Sequence, residues 1–276
     1  MFHQNLLSKL FVCTLLPLTT FSTFSQSNTY LHIAHTRTDI NPVLIDGVSK
    51  IDYSVYDMLW LGGDLTLNTS GKNKYLKQIN MVFDVKSKST LWSLGNHDYT
   101  DLRKLNRFIK RPSFYSVNRN RITFIILDTQ DSLSNIVGEQ LELFKSVIDT
   151  IENSTHLILL HHKLIWMDDH DTLRSKISKI SNGYYGECFH CLNENNFYSE
   201  IYPRLVLVKQ KGIKVLCIAG DIGHKAQEFE IETTDGIYFL ASGMSESIKE
   251  NRAIVFSHNI ATQELRWEYR LIKTLQ

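Results

Sequence analysis

Five short apolar runs in this chain end on side chains that can bind a metal ion or move a proton. Leu31-His32-Ile33-Ala34 stops at His35, and Met58-Leu59-Trp60-Leu61 stops at Gly62-Gly63-Asp64. Leu91-Trp92-Ser93-Leu94 runs into Gly95-Asn96-His97-Asp98, Leu157-Ile158-Leu159-Leu160 into His161-His162, and Val215-Leu216-Cys217-Ile218-Ala219 into Gly220-Asp221. Carboxylate and amide oxygens mixed with imidazole nitrogens form a donor set suited to borderline first-row ions such as zinc, manganese or iron. Histidine is also the side chain whose charge changes near neutral pH. A single Asp after a strand is commonly only a helix cap. Five such ends in one chain imply convergence, because the crevice beyond the carboxyl ends of strands is where α/β sheets bind ligands.

The elements that must position these residues are legible in outline. Near-continuous apolar runs are what strands covered on both faces require. Between them, residues 138–153 carry Leu141, Phe144, Val147, Ile148 and Ile151 at helical spacing, and residues 98–110 and 195–210 are weaker helical stretches. Residues 237–241, 253–256 and 265–272 read as successive strands, for which antiparallel pairing is expected. The expected fold is layered α/β, with sheets sandwiched between helices. No repeat, long linker or low-complexity segment follows residue 26, so residues 26–276 are expected to form one domain.

With 276 residues, 43% hydrophobic and 21% charged, the chain can bury a full core and is not disordered. Its 30 Lys+Arg against 29 Asp+Glu leave no excess for wrapping a long nucleic acid. Residues 1–25 combine one charged side chain, Lys9, a largely apolar stretch over 10–21 and a small-residue exit. That pattern is a secretory signal peptide, and its apolar part falls short of the roughly 20 residues a membrane-spanning helix needs. Export to the periplasm or the medium is therefore expected, with no transmembrane span. Outside the cytosol, Cys188 and Cys191 in Gly186-Glu187-Cys188-Phe189-His190-Cys191 are expected to form a local disulfide, and Cys217 to be a buried thiol.

The runs Gly62-Gly63-Asp64 and Gly95-Asn96-His97-Asp98 resemble the second and third motifs of the calcineurin-like metallophosphoesterases. Leu159-Leu160-His161-His162 resembles the fourth, and Gly138-Glu139-Gln140-Leu141 following Ile126-Leu127-Asp128 is similar to a helix start of that family. The resemblance spans roughly residues 30–258, in the family's order. It implies two mixed β-sheets flanked by helices. It also implies that Asp64 bridges two metals, that Asn96 is an amide-oxygen ligand, and that His97 is a non-ligand histidine meeting the scissile phosphate. By the same resemblance His161 is the next metal ligand, and His162 is then expected to point away, since successive strand residues face opposite sides.

Two motifs depart from the family pattern. Where an Asp-x-His is expected, the chain reads His35-Thr36-Arg37, and where Gly-His-x-His is expected it reads Gly220-Asp221-Ile222-Gly223, with His224 one place later. One metal site keeps Asp64, Asn96, His161 and Asp221. The other has His35, the shared Asp64 and an offset His224, whereas Arg37 stays protonated and cannot ligate. The expectation is an exported phosphoesterase with one firm metal and a degenerate second site, with Arg37 supplying fixed positive charge and His97 assisting the leaving group. Its substrate is expected to be a small-molecule, glycan or lipid phosphate mono- or diester, and the chain a monomer. The alternative is a catalytically inactive relative that binds a phosphorylated glycan, lipid or protein.

Other polar residues are expected to be structural. His32, His156, His170 and His258 have no visible partner, and Asp168-Asp169-His170-Asp171 reads as a solvated turn. The basic residues 103, 104, 107, 110 and 111 read first as the solvated face of an amphipathic helix. The long connection over 166–196 has the length of a substrate-facing rim; its Trp166, Tyr184, Tyr185 and Phe189 could stack on a sugar or base or equally pack the loop on itself.

Overall fold

The computed structural model describes residues 27–276; the expected signal peptide lies outside the described residues. Two sheets face one another. The first has the order β11 (Glu264–Leu271), β10 (Arg252–Asn259), β1 (Ser27–Ile33), β2 (Met58–Leu61), β3 (Thr90–Trp92). The second has the order β4 (Tyr115–Arg119), β5 (Ile122–Ile126), β6 (His156–His161), β7 (Lys214–Ala219), β9 (Tyr238–Ser242), β8 (Glu228–Glu232). Both are mixed: β1, β2 and β3 run parallel, as do β5, β6, β7 and β9, while β10 pairs antiparallel with β1 and β11, β4 with β5, and β8 with β9.

Three apolar clusters explain why nearly every strand reads as a continuous hydrophobic run. Tyr30, Trp60, Phe124, Ile158, Leu160, Leu216 and Phe256 fill the space between the sheets. Their strand neighbours turn outward under helices. Leu31, Ile33 and Trp92 pack with Leu76, Ile79 and Phe83 of α1 (Asn73–Phe83) and Leu105 and Ile109 of α2 (Leu102–Ile109). Leu157, Leu159 and Val215 pack with Phe144 and Ile148 of α3 (Gly138–Thr150), Ile177 of α4 (Ile177–Ile180) and Leu205 and Val208 of α5 (Tyr202–Gln210). The result is a helix–sheet–sheet–helix sandwich, as expected. No helix among the described residues is long and apolar enough to cross a membrane.

One expectation needs correction. The tail strands do not all pair with one another: β10 and β11 form an antiparallel hairpin in the first sheet, whereas β9 runs parallel to β7 in the second. Helix α1 is a further element beyond those expected; the residue before it, Lys72, offers no side-chain cap to mark its start.

His32, His156 and His258 are buried in this sandwich. The His32 ring meets the Ser242 hydroxyl across the sheets at 2.8 Å, and His258 meets the Tyr30 hydroxyl at 3.1 Å. Burial lowers His32 to about 3 and His156 to about 4, so both stay neutral in the fold. The unfolded chain takes up these protons near pH 6.5, whereas the folded chain resists until the lower values. Stability is therefore expected to fall as pH drops from 6.5 towards 4, by up to about 1.4 kcal/mol per pH unit for each such histidine. Urea midpoints across that range check this; a His156→Gln variant with an unchanged slope would remove His156 from the account.

Candidate active site

The loops after β1, β2, β3, β6 and β7 meet where the carboxyl ends of the two sheets approach. The approach is close enough that a Cβ at Gly62 would lie 3.0 Å from the Gly220 Cα and 2.7 Å from the Ala34 Cβ. Asp64 stands at the centre, nearly fully buried. Both it (φ 55°) and His35 (φ 53°) adopt left-handed backbone, which is costly for non-glycine residues and is found where surrounding structure over-determines a site.

That structure is supplied by Asp98. Its buried carboxylate accepts from the backbone N–H of Asp64 (2.8 Å), Leu65 (3.2 Å) and Gly95 (2.9 Å) and from the Thr69 hydroxyl (2.6 Å). The loop after β2 is thereby tied to the loop after β3, and Asp64 Oδ1 accepts the His97 N–H at 2.9 Å. Gly95 must lack a side chain, since a Cβ there would collide with the Asp64 carboxylate.

The two oxygens of Asp64 face different company. On the Oδ1 side, His162 Nε2 lies at 3.7 Å and is itself 3.8 Å from Asp221 Oδ1. On the Oδ2 side stand His35 Nε2 at 3.7 Å, Arg37 Nε at 3.7 Å and His97 Nε2 at 4.0 Å. His35, His97 and His162 each donate Nδ1–H to a backbone carbonyl, that of Met244, Leu67 and Gly62 respectively. Each ring therefore turns its Nε2 toward Asp64, the second-sphere arrangement that orients metal-binding histidines. Arg37 is also clamped by Asp39 at 2.9 Å.

Electrostatics follow from this crowding. Burial raises the Asp64 carboxyl, but the facing His162, His97 and His35 rings and the Arg37 guanidinium bring it down to about 2. His162 moves up despite burial, because Asp64 and Asp221 face it, whereas burial takes His35 down to about 3. Asp221 is pushed up by burial, countered by His162 and raised again by Asp64. Burial lowers the Lys163 ammonium to about 8.

The residues expected to form the site come together with one exchange. Asp64, Asn96, His97, Asp221, His35, Arg37 and His224 all line one cleft of about 330 Å³. His224 stands at its edge, ring to ring with His35 at 5.0 Å and bonded to Ser245, and does not reach Asp64 within ion-pair distance. His161 is the correction. Its ring turns away, donates Nδ1–H to the Lys163 carbonyl and packs edge-on against Trp166 at 4.7 Å, while the His162 ring faces the Asp64 and Asp221 carboxylates. The cause is strand phase: Ile158 and Leu160 face the inter-sheet core and Leu157 and Leu159 the outer helices, so the even-numbered side carries the site. Both faces of β6 are apolar, so alternation in the sequence could not show its phase.

The connection over 166–196 supplies the opposite wall, through Asn182, Gly183, Tyr184, Phe189 and His190. Cys188 and Cys191 are disulfide-bonded, and Cys217 is a buried free thiol. The His190 ring nitrogens and the two sulfurs lie close together, but the bonded sulfurs leave no thiolate for a metal. Asp168 is not in a solvated turn: it is buried, and it accepts from the Tyr185 hydroxyl at 2.9 Å and from Asn195 N–H at 2.8 Å, stapling this connection together.

One observation tests whether a metal fits. The His162 Nε2 is buried with no hydrogen-bond partner, flanked by two carboxylate oxygens at 3.7 and 3.8 Å. An orphaned imidazole lone pair between two carboxylates fits a divalent cation by donor chemistry.

This is the calcineurin-like metallophosphoesterase fold. The chain is similar over 89% of its length, and over 96% of the other chain, to the crystal structure of a dimetal phosphatase from Danio rerio, at a TM-score of 0.55 and 13% identity. More distant similarity extends to a Haemophilus influenzae NAD nucleotidase (TM-score 0.47, 14% identity, 88% of this chain and 49% of that one). A 5'-nucleotidase precursor from Thermus thermophilus is comparable (TM-score 0.45, 12% identity, 89% and 54%). No family sequence model matches the chain, and no curated protein matches it in sequence.

Replacing Asp98 by Ala would leave three buried N–H groups without their acceptor. At about 1–3 kcal/mol for each unsatisfied buried group, the variant is expected to lose roughly 3 kcal/mol or more of stability. Denaturant unfolding checks this; a loss below about 1 kcal/mol would mean that the loops hold without the staple.

Proposed function

We propose that this chain is a metal-dependent phosphoesterase that hydrolyses a phosphate ester with one cation and one fixed arginine. The observation that carries the reading is the split company of Asp64: His162, itself beside Asp221, at Oδ1, and a guanidinium among His35 and His97 at Oδ2. His162, Asp64 and Asp221 would hold the cation, with the Asn96 amide oxygen as the further donor in the cleft. A bound divalent cation supplies Lewis acidity toward a phosphoryl oxygen and lowers the pKa of a coordinated water.

The chain's own residues do the rest. Arg37, held by Asp39 and Asp64, presents fixed positive charge where a second metal would otherwise stand, and such charge stabilises a transferring phosphoryl group. His35 abuts the same Asp64 oxygen but is buried and neutral, so it orients the carboxylate rather than adding charge. His97 is the partly exposed member of the cluster; as an imidazolium, with Nδ1–H on the Leu67 carbonyl, it presents Nε2–H to hand a proton to the departing alkoxide and is left neutral. The disulfide supports an oxidising compartment, in line with export to the periplasm or the medium.

Elemental analysis of residues 26–276, alongside aryl phosphate mono- and diester assays, tests the reading. About one metal per chain is expected. His162→Ala is expected to lose both metal and turnover, whereas His161→Ala keeps its metal. Arg37→Ala is expected to keep its metal and lose about 10²–10³-fold in kcat, the usual effect of removing one preorganised electrostatic contact. Two metals per chain, or an Arg37→Ala variant within a few-fold of the unsubstituted chain, would overturn the arginine's role. A chain that binds metal and phosphate without turnover would be the non-catalytic binder.

A further inference from the structure

The cleft has a wall that the metal-site residues do not account for. It is the tip of the loop closed by the Cys188–Cys191 disulfide, which carries Phe189 and His190 into the cleft opposite Asp64 and His97. The tip is held from within and without. Cys191 N–H bonds the Cys188 carbonyl, and the buried Asn193 amide donates to the carbonyls of both cysteines and accepts the Cys188 N–H. The same Asn193 side chain is anchored to the Ser134 hydroxyl beyond the loop.

Two further contacts aim the tip at the chemistry. Lys163, directly after His162 and fully buried, spends its ammonium on the Phe189 carbonyl at 2.9 Å. Burying a lysine is costly, and this one reaches the loop rather than solvent. The Phe189 ring meets the Tyr99 ring edge-on at 5.7 Å, and Tyr99 lies in the same helical turn as Asn96 and His97, its hydroxyl fixed on Asp128 at 2.5 Å. Phe189 is thus tied to the segment after His162 and to the turn bearing His97, yet it remains 43% exposed and open to the cleft.

We infer that the disulfide-closed tip is the leaving-group wall of the site, with Phe189 as a specificity-determining residue for phosphate esters whose alcohol carries an aromatic or apolar group next to the ester oxygen. The inference rests on the phosphoesterase reading for the placement of the phosphoryl group: gripped at Asp64, with the ester oxygen toward His97, its organic half extends along the side that Phe189 occupies. An exposed aromatic face held rigid costs little entropy to use, and contact with a second ring adds affinity beyond area alone.

Binding and turnover test it separately. Phenylphosphonate and methylphosphonate share a phosphorus headgroup and differ only in the organic group, and calorimetry reads their affinities without any reaction. The unsubstituted, metal-loaded chain is expected to prefer phenylphosphonate by about tenfold, and Phe189→Ala to bring the ratio close to one, with methylphosphonate affinity and metal content unchanged. Phe189→Tyr is expected to restore most of the preference. A Cys188→Ser/Cys191→Ser double variant is expected to fall between, since it keeps the ring but frees the tip. With phenyl phosphate as substrate, Phe189→Ala is expected to raise KM about tenfold and leave kcat within about threefold. A preference that survives Phe189→Ala, or a loss of methylphosphonate affinity in step with phenylphosphonate, would overturn the wall. Absent turnover beside an intact phosphonate preference would instead overturn the phosphoesterase reading and leave the wall standing.

Discussion

The site depends on one buried carboxylate that touches no substrate. Asp98 gathers three backbone N–H groups and a hydroxyl from two separate loops, and without it neither the left-handed turn at Asp64 nor the approach of Gly95 to the Asp64 side chain has a reason to persist. Burial and the neighbouring Asp64 charge both push the Asp98 carboxyl upward, and the four donated bonds oppose them. The meeting of Gly62 with Gly220 is held separately, by the His162 ring on the Gly62 carbonyl and the Gly220 N–H on the His162 carbonyl.

Around that support, charge is divided rather than duplicated. A centre with two cations needs two sets of anionic and imidazole donors on either side of a bridging carboxylate. Beside one oxygen of Asp64 stands His162, next to Asp221, and beside the other stand His35, His97 and a guanidinium already neutralised in part by Asp39. A guanidinium cannot leave, exchange or bind water as a metal does, so this half of the site has a fixed charge at any metal concentration.

Much of this was legible in the sequence, because strands buried on both faces leave a near-continuous apolar signature and their ends expose the polar residues that follow. Asp64, Asn96, His97, Asp221, His35 and Arg37 stood at such ends, and the structure brings them into one cleft. The same apolar continuity hid what depends on strand phase. His161 and His162 are adjacent, β6 is apolar on both faces, and only the packing of Leu157 and Leu159 under the helices shows which histidine turns inward. Asp168 was misread because its partners, Tyr185 and Asn195, lie 17 and 27 residues away and nothing local marks a buried staple. Asp98 was read only as part of a motif, since backbone N–H groups leave no trace in a sequence.

The contact between His35 and the Met244 carbonyl joins residues 209 positions apart, and the His32–Ser242 bond spans 210. Every prospective cation donor belongs to a different strand end, so no short segment holds a preformed partial chelate. Such long-range closure makes for slow folding, and the centre can exist only after the first and last thirds of the chain have met. A cation that binds there recognises the finished sandwich and not the nascent polypeptide. By mass action it then acts as a thermodynamic lock on the native state, tightening the whole molecule in proportion to how far its concentration exceeds its dissociation constant.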